Sequence, residues 1–517
     1  MNNQDHLFQL INSLSKSEKG YFKKYSSLHV KGVKNNYIRL FDAIDNLNEY
    51  DEEKIRKALA KEKFINHLPR TKNYLYNLIL KSLREFHANS SSNATIKILI
   101  RNIELLLSKG MINQCYKLVK KAKHLSEKYE SHLLLIEILI LERKLYIMQS
   151  FPKNSEAILT NNFSDESDAL NNILLNSSWY KANNDIHYYH KREGITREAL
   201  ELKGIKYELD RVKHQNKHLS GTYRSMMLEY SAYHIYNSMI GNFKESQRFA
   251  KLAVELFNKY PHQINEDLKN YITNLQNLMV ASAEMEDIIT LQKTSERVEQ
   301  LLKDHQVKIS KQYRAQILYK TILIKMSYFI SKGEFEKALQ GIDTQKLELE
   351  KFSQLIPHST KLNFNYALAY SNLVCNKLDE ASFWVNEILK DSSYERRNDI
   401  LVYTRILNLI IQFELGNEEI MDHLIRSAQR FIDKKNRLFK LEKLILNFFV
   451  QTLHNTYSKR EETELFKALR FKLVELSESD SYWRNVERYF DFISWADSKI
   501  ENKKFLTITK SKKLRYT

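Results

Sequence analysis

The stretch that decides the fold is Tyr230–Pro261, YSAYHIYNSMIGNFKESQRFAKLAVELFNKYP. Tyr230, Tyr233, Ile235, Tyr236 and Met239 recur at about three- and four-residue spacing, which sets them along one stripe of a helix that Gly241-Asn242 terminates. Phe243, Phe249, Ala250, Ala253 and Phe257 line a second helix, whose small residues admit a close neighbour and which Pro261 ends. Two short helices joined by a glycine turn cannot bury both apolar faces alone, so the pair implies neighbours of its own kind.

The wider composition agrees. Only 10 Gly and 4 Pro occur in 517 residues, far below average usage of about 7% and about 5%. Each proline (69, 152, 261 and 357) stands where a helical pattern stops. With 43% hydrophobic and 28% charged residues the chain is built to fold, and it is too long for one core. Cys115 and Cys375 lie far apart in helical patterns, so they form neither a disulfide framework nor a zinc signature and read as reduced thiols in the cytoplasm. The opening residues MNNQDHLFQLINSLSK lack a basic start and a long apolar run, and no secretory leader is expected. The most apolar stretch, His132 to Met148, carries Glu137, Glu142, Arg143 and Lys144, which suits a helix buried between neighbours rather than a membrane span.

From residue 94 the helix breakers recur. Gly110, Gly194, Gly241, Gly333 and Gly416 each close one helical pattern just before another opens, at one or two multiples of roughly 40–47 residues, the interval of helical-hairpin repeats. Ser150–Pro152, Glu286-Asp287, Asn376 and a last turn near Asn455 supply the missing breaks. Three of these turns carry a family resemblance. GNFKESQRFAKLA (241–253), GEFEKALQGID (333–343) and NKLDEASFWVNEIL (376–389) resemble the turn and second helix of tetratricopeptide repeats. Each has Gly or Asn, then an aromatic residue or Leu, then a small residue, namely Ser246, Ala338 or Ala381; Cys115 and Ala199 hold the same slot. The family's first-helix Trp and Gly are absent and the spacing exceeds its period of about 34 residues. The resemblance implies an all-α fold, a right-handed α-solenoid of about nine antiparallel hairpins over residues 94–475. It also implies a partner peptide or protein bound in the concave groove.

Residues 1–88 read as a separate five-helix module. Leu7, Leu10 and Ile11 begin the first helix, and Ser15 with Glu18 forms a capping box for the second. Tyr37 to Leu47 gives the third, Asp51–Lys61 the fourth, and Arg70–His87 the fifth, with Leu75, Leu78, Ile79, Leu83 and Phe86 inward. LSKSEKGYFKKY and TKNYLYNLILKSLREF in this module resemble uncharacterised bacterial helical-repeat proteins. The polar run Asn89–Asn93 marks the boundary. At the other end, a capping helix over 480–500 with Trp483, Val486, Tyr489, Phe490, Phe492 and Trp495 closes the last apolar face, and 501–517 is a basic tail. Of the net charge of +18, residues 1–90 carry 16 Lys/Arg against 10 Asp/Glu and the tail 6 against 1, so basic character concentrates at the ends.

Two stripes could meet a partner in the groove. Tyr180, Asn184 and Tyr188 follow one another at four-residue steps, and Asn363, Tyr366 and Tyr370 are similarly spaced; both offer aromatic faces and amides to a peptide. The competing idea is a helix-turn-helix in the basic module, with Arg70, Asn73, Asn77, Lys81 and Arg84 on one face of the second helix, residue types that read guanine and adenine edges. The connection from Glu62 to Pro69 is long for such a motif. Asp210, His214 and His218, and His187 with His190, have the spacing of metal ligands but sit among lysines and arginines that repel a cation, so no metal is expected. No Gly-rich phosphate loop, HExxH, GxSxG or CxxC occurs. The expectation is a cytoplasmic, non-catalytic scaffold or adaptor without cofactor, membrane contact or small-molecule substrate. Its alternative is a nucleic-acid-associated transcriptional regulator whose repeats serve as a sensor.

Overall fold

The computed structural model describes residues 5–28, 35–88, 91–149, 155–193, 199–215, 221–304, 309–343, 349, 352, 355–356, 358–390, 398–434, 439–453, 458–479, 483–487 and 489–514, with the backbone alone at a few helix ends. Regular structure among these residues is helical, with no strand. The chain forms two compact units, Met1–Ile173 and Leu174–Thr517.

The first unit opens with α1 (His6–Ser13), α2 (Lys16–Leu28), α3 (Asn36–Asp45), α4 (Glu52–Ala58) and α5 (Leu68–Phe86). The capping box forms as the sequence implies: the Ser15 amide donates to Glu18 Oε2 at 2.7 Å and the Glu18 amide to Ser15 Oγ at 3.2 Å. α5 packs on α1, α2 and α3, while α4 packs on α3. Leu7, Ile11, Phe22, Leu40, Phe41, Ile44, Leu75 and Ile79 form the shared core. Phe86 differs from expectation. It sits in the last turn of α5 and is partly exposed, with its ring on Tyr21.

α6 (Ser92–Ser108), α7 (Ile112–Lys128) and α8 (His132–Met148) follow, and α9 (Ser155–Glu193) begins in the first unit and ends in the second. The second unit continues with α10 (Ala199–Gln215), α11 (Tyr223–Met239), α12 (Phe243–Lys259), α13 (His262–Glu266), α14 (Leu268–Glu284), α15 (Ile288–Asp304), α16 (Lys311–Ser331) and α17 (Phe335–Asp343). It is completed by α18 (His358–Val374), α19 (Leu378–Lys390), α20 (Asn398–Glu414), α21 (Glu418–Lys434), α22 (Lys440–Leu453), α23 (Lys459–Ser479), α24 (Trp483–Glu487), α25 (Phe492–Ile500) and α26 (Phe505–Leu514). Successive helices pack in pairs, such as α6 on α7, α11 on α12, α14 on α15, α18 on α19 and α20 on α21. The first helix of one pair also meets the first helix of the next, as in α14 on α16, α16 on α18 and α18 on α20.

One turn chemistry produces this order. Gly110, Gly241, Gly333 and Gly416 hold φ of 72°, 75°, 73° and 72°, and Glu286 and Asn376, two of the breaks read from sequence, hold 57° and 58°. At each, the next amide reaches back to the carbonyl five residues earlier, Met111 to Leu106 and Asn242 to Asn237 for example, which satisfies the orphaned end of the first helix. Glu130, at φ 51°, repeats the motif between α7 and α8 with no glycine to announce it. Five residues after the glycine or asparagine, Cys115, Ser246, Ala338 and Ala381 are fully buried, because the first helix passes too close for a larger side chain. The Cys115 thiol donates to Ile103 O, and Ser246 Oγ donates to His234 O at 3.1 Å.

α9 departs from the expected alternation. Residues 155–193 form one 39-residue helix, not a hairpin. Its sequence is rich in Asn and Ser but contains neither Gly nor Pro, so nothing stops it before Gly194, which lies outside the described residues. Ser150–Pro152, Asn89-Ser90 and Asn455 also lie outside them.

Candidate interaction faces

α18 and α20 have almost no solvent face: their polar residues, Asn365, Ser371, Asn372, Thr404, Asn408 and Gln412 among them, are buried with the apolar ones. From Leu362 to Val374 every residue except Asn363 is buried. The cover on their remaining side is the chain's own C-terminal segment. Tyr366 Oη donates to Tyr489 O at 3.1 Å, the Asp491 amide donates to Tyr370 Oη at 3.2 Å, and Tyr489 Oη donates to Asp399 Oδ2 at 2.7 Å. The Tyr403 and Tyr489 rings stack 4.4 Å apart, and Tyr403 Oη donates to Glu442 Oε1 at 3.2 Å. Farther along, Trp495 Nε1 and Lys499 Nζ share Glu414, at 2.8 and 2.5 Å. Lys510 pairs with Glu336 at 2.6 Å and Lys512 with Asp491 at 3.0 Å.

This arrangement overturns one expected site. Tyr366 and Tyr370 are 7% and 4% exposed, so they meet residues of their own chain and present no ring to a partner; Asn363 is partly exposed. Burial pushes both hydroxyls well above the ordinary tyrosine value, reinforced by Asp399 beside Tyr366 and by Asp491 beside Tyr370. They serve as neutral hydrogen-bonding groups. Phe490, Phe492 and Trp495 are almost wholly buried among Phe448, Phe449 and Phe466, which makes the segment a structural wall rather than a detachable plug.

The other expected stripe stays open. Tyr180, Asn184 and Tyr188 are exposed on α9, with Trp179 and Ile186 buried behind them. On α5, Arg70, Asn73, Asn77, Lys81 and Arg84 are all exposed as well, and none of the three cations has an acidic partner among the described residues. The support differs from a helix-turn-helix, since α5 rests on α1, α2 and α3, and a 3-10 turn, Lys63–His67, intervenes after α4. Among the described residues no group of His, Cys, Asp and Glu is placed to hold a metal.

A further face escaped the sequence reading. α8, expected to be buried between neighbours, exposes Leu133, Ile140 and Ile147, the first and last at 71% and 60%. These recur every seven residues, so they share one side of the helix, opposite buried Ile138, Leu141 and Leu145. α6, which packs on α8, does the same with Ile98 and Leu105, opposite Ile96, Ile100 and Ile103. The signal was present as a second heptad-spaced apolar row on the far side of the core row. The charges of α8 divide between two environments: Arg143 makes a two-pronged contact to Glu166 at 2.8 and 2.9 Å and Glu142 accepts from Asn162 at 2.7 Å, while Glu137 and Lys144 are exposed beside the outer apolar row. No described helix is long and apolar enough to cross a membrane. Compared with known proteins, the chain matches no family model, no curated protein and no solved structure.

Proposed function

We propose that this chain is a non-catalytic scaffold, a tetratricopeptide-like α-solenoid that binds another protein in the cytoplasm. The observation that carries the reading is the pair of apolar rows on α6 and α8, five large aliphatic side chains turned to solvent on two packed helices. Exposed apolar surface of this extent has a cost that a binding partner repays. Its seven-residue spacing fits an amphipathic helix laid across it. The second unit shows the kind of cover such helices take, with aromatic residues of a short helical segment set on α18 and α20. Tyr180, Asn184 and Tyr188 are the part of the expected groove that remains accessible.

The test compares the full chain with its Ile140→Asp/Ile147→Asp variant, each tagged in its native cells and captured for quantitative mass spectrometry. A protein retained by the wild type and lost with the variant is the expected result. Identical capture by the two would remove the reading.

A second reading has an observation of its own. The three unpaired cations on the exposed face of α5 suit a polyanion, nucleic acid included.

A further inference from the structure

The α5 face holds more than charge. Tyr74, about half exposed, stacks on Tyr37 of α3 with ring centroids 4.5 Å apart and planes 23° from parallel. One side of the Tyr74 ring is thus supported and the ring is held in place. Arg70 stands one helical turn before Tyr74, and its positive charge acts on the Tyr37 hydroxyl against the upward push of burial and of Tyr74. Lys81 and Arg84 continue the same side of α5, so the cations span about 21 Å along the helix. We infer that this face binds single-stranded nucleic acid, its phosphates on Arg70, Lys81 and Arg84 and an unstacked base on Tyr74. The inference rests on the second reading above and narrows it.

Two observations favour a single strand over a duplex. A supported tyrosine needs the flat face of a base, which a duplex keeps inside its stack. The amides that would read base edges are also engaged, because Asn77 Nδ2 donates to Asn73 O at 2.9 Å and lies 3.4 Å from Asn73 Oδ1. An acidic protein would use the cations and leave the aromatic platform without a role.

Fluorescence anisotropy of the full chain with a short labelled oligothymidylate, an equivalent duplex and polyglutamate as competitor decides the matter. The oligonucleotide should bind at low salt, more tightly than the duplex, with a log–log salt slope of about −2 from three phosphate contacts. Tyr74→Ala should weaken binding about tenfold and Tyr74→Phe should restore it, since stacking needs the ring alone. Equal binding of duplex and single strand with a neutral Tyr74→Ala overturns the single-strand inference and leaves the second reading standing. No binding of either nucleic acid at low salt overturns both. Polyglutamate competing as well as the oligonucleotide overturns the inference in favour of an acidic protein.

Discussion

α20 and α8 look alike as sequence and end differently. NDILVYTRILNLIIQFE and HLLLIEILILERKLYIM are both rich in Leu and Ile with a few polar residues interspersed. Yet α20 is buried on nearly every side, while α8 leaves Leu133 and Ile147 largely in water and Ile140 partly so. The difference lies in what else the chain supplies. A short segment far along the chain returns to cover it, as the bond between Tyr489 and Asp399, 90 residues apart, records. Nothing comparable lies on the outer row of α8 among the described residues. A helix this rich in aliphatic residues therefore announces a need for cover without saying whether the chain itself provides it.

The strongest test of this contrast removes the cover's anchor. Trp495 is 1% exposed and touches Phe413, Phe448, Phe449, Phe466 and Phe490. Trp495→Ala should destabilise the second unit by about 3–5 kcal/mol through the cavity it leaves, read as an earlier urea transition in far-UV circular dichroism. A loss below about 1 kcal/mol would mean that the cover is peripheral and that the face of α18 and α20 can open. Tyr489→Phe is gentler. It keeps the ring on Tyr403 and the carbonyl that Tyr366 uses, but deletes the donor to buried Asp399. About 1–3 kcal/mol should be lost, and no change in the same transition would show that this polar network does not hold the cover.

Much of this molecule was legible and its sites were less so. The turns at Gly241, Gly333, Asn376 and Gly416 could be read because a left-handed residue at a helix end is a local requirement, met by glycine or asparagine. The small residues at 246, 338 and 381 are equally local, fixed by helix approach. Glu130 shows the limit, since an ordinary side chain can be forced into the same φ by the packing on either side. The continuous run of α9 was hidden by the assumption that an even period continues. Tyr366 and Tyr370 were misplaced for a long-range reason: their bonds reach Tyr489 and Asp491, more than 100 residues away. No spacing rule on α18 contains that information.

A third test moves to α16, which packs beside α18, and concerns a charge. Lys320 is partly buried, and desolvation lowers its ammonium pKa from 10.5 to about 8. Between these two values the folded chain binds fewer protons than the unfolded chain, so stability rises as pH climbs through the window and the full penalty is present below it. Lys320→Met should therefore stabilise the second unit by about 1 kcal/mol at neutral pH and flatten the dependence of the urea midpoint between about pH 8 and pH 10.5. An unaltered midpoint together with an unaltered slope would place that ammonium in water.

The smallest expected effect is the one that bears on function. If the outer row of α8 is bare in the isolated protein, Ile140→Ser and Ile147→Ser remove apolar surface that is already wet, and stability should move by no more than about 0.5 kcal/mol. Leu139→Ala on the same helix, at a site with no exposure, should cost about 2–5 kcal/mol by comparison. Measured side by side, the two positions separate a row kept for folding from a row kept for contact. A loss above about 1.5 kcal/mol for Ile147→Ser would show the row to be covered by the chain itself, and the parallel with α20 would then be complete. Retained stability in the serine variants, joined to lost partner capture, leaves binding as the reason these isoleucines face outward.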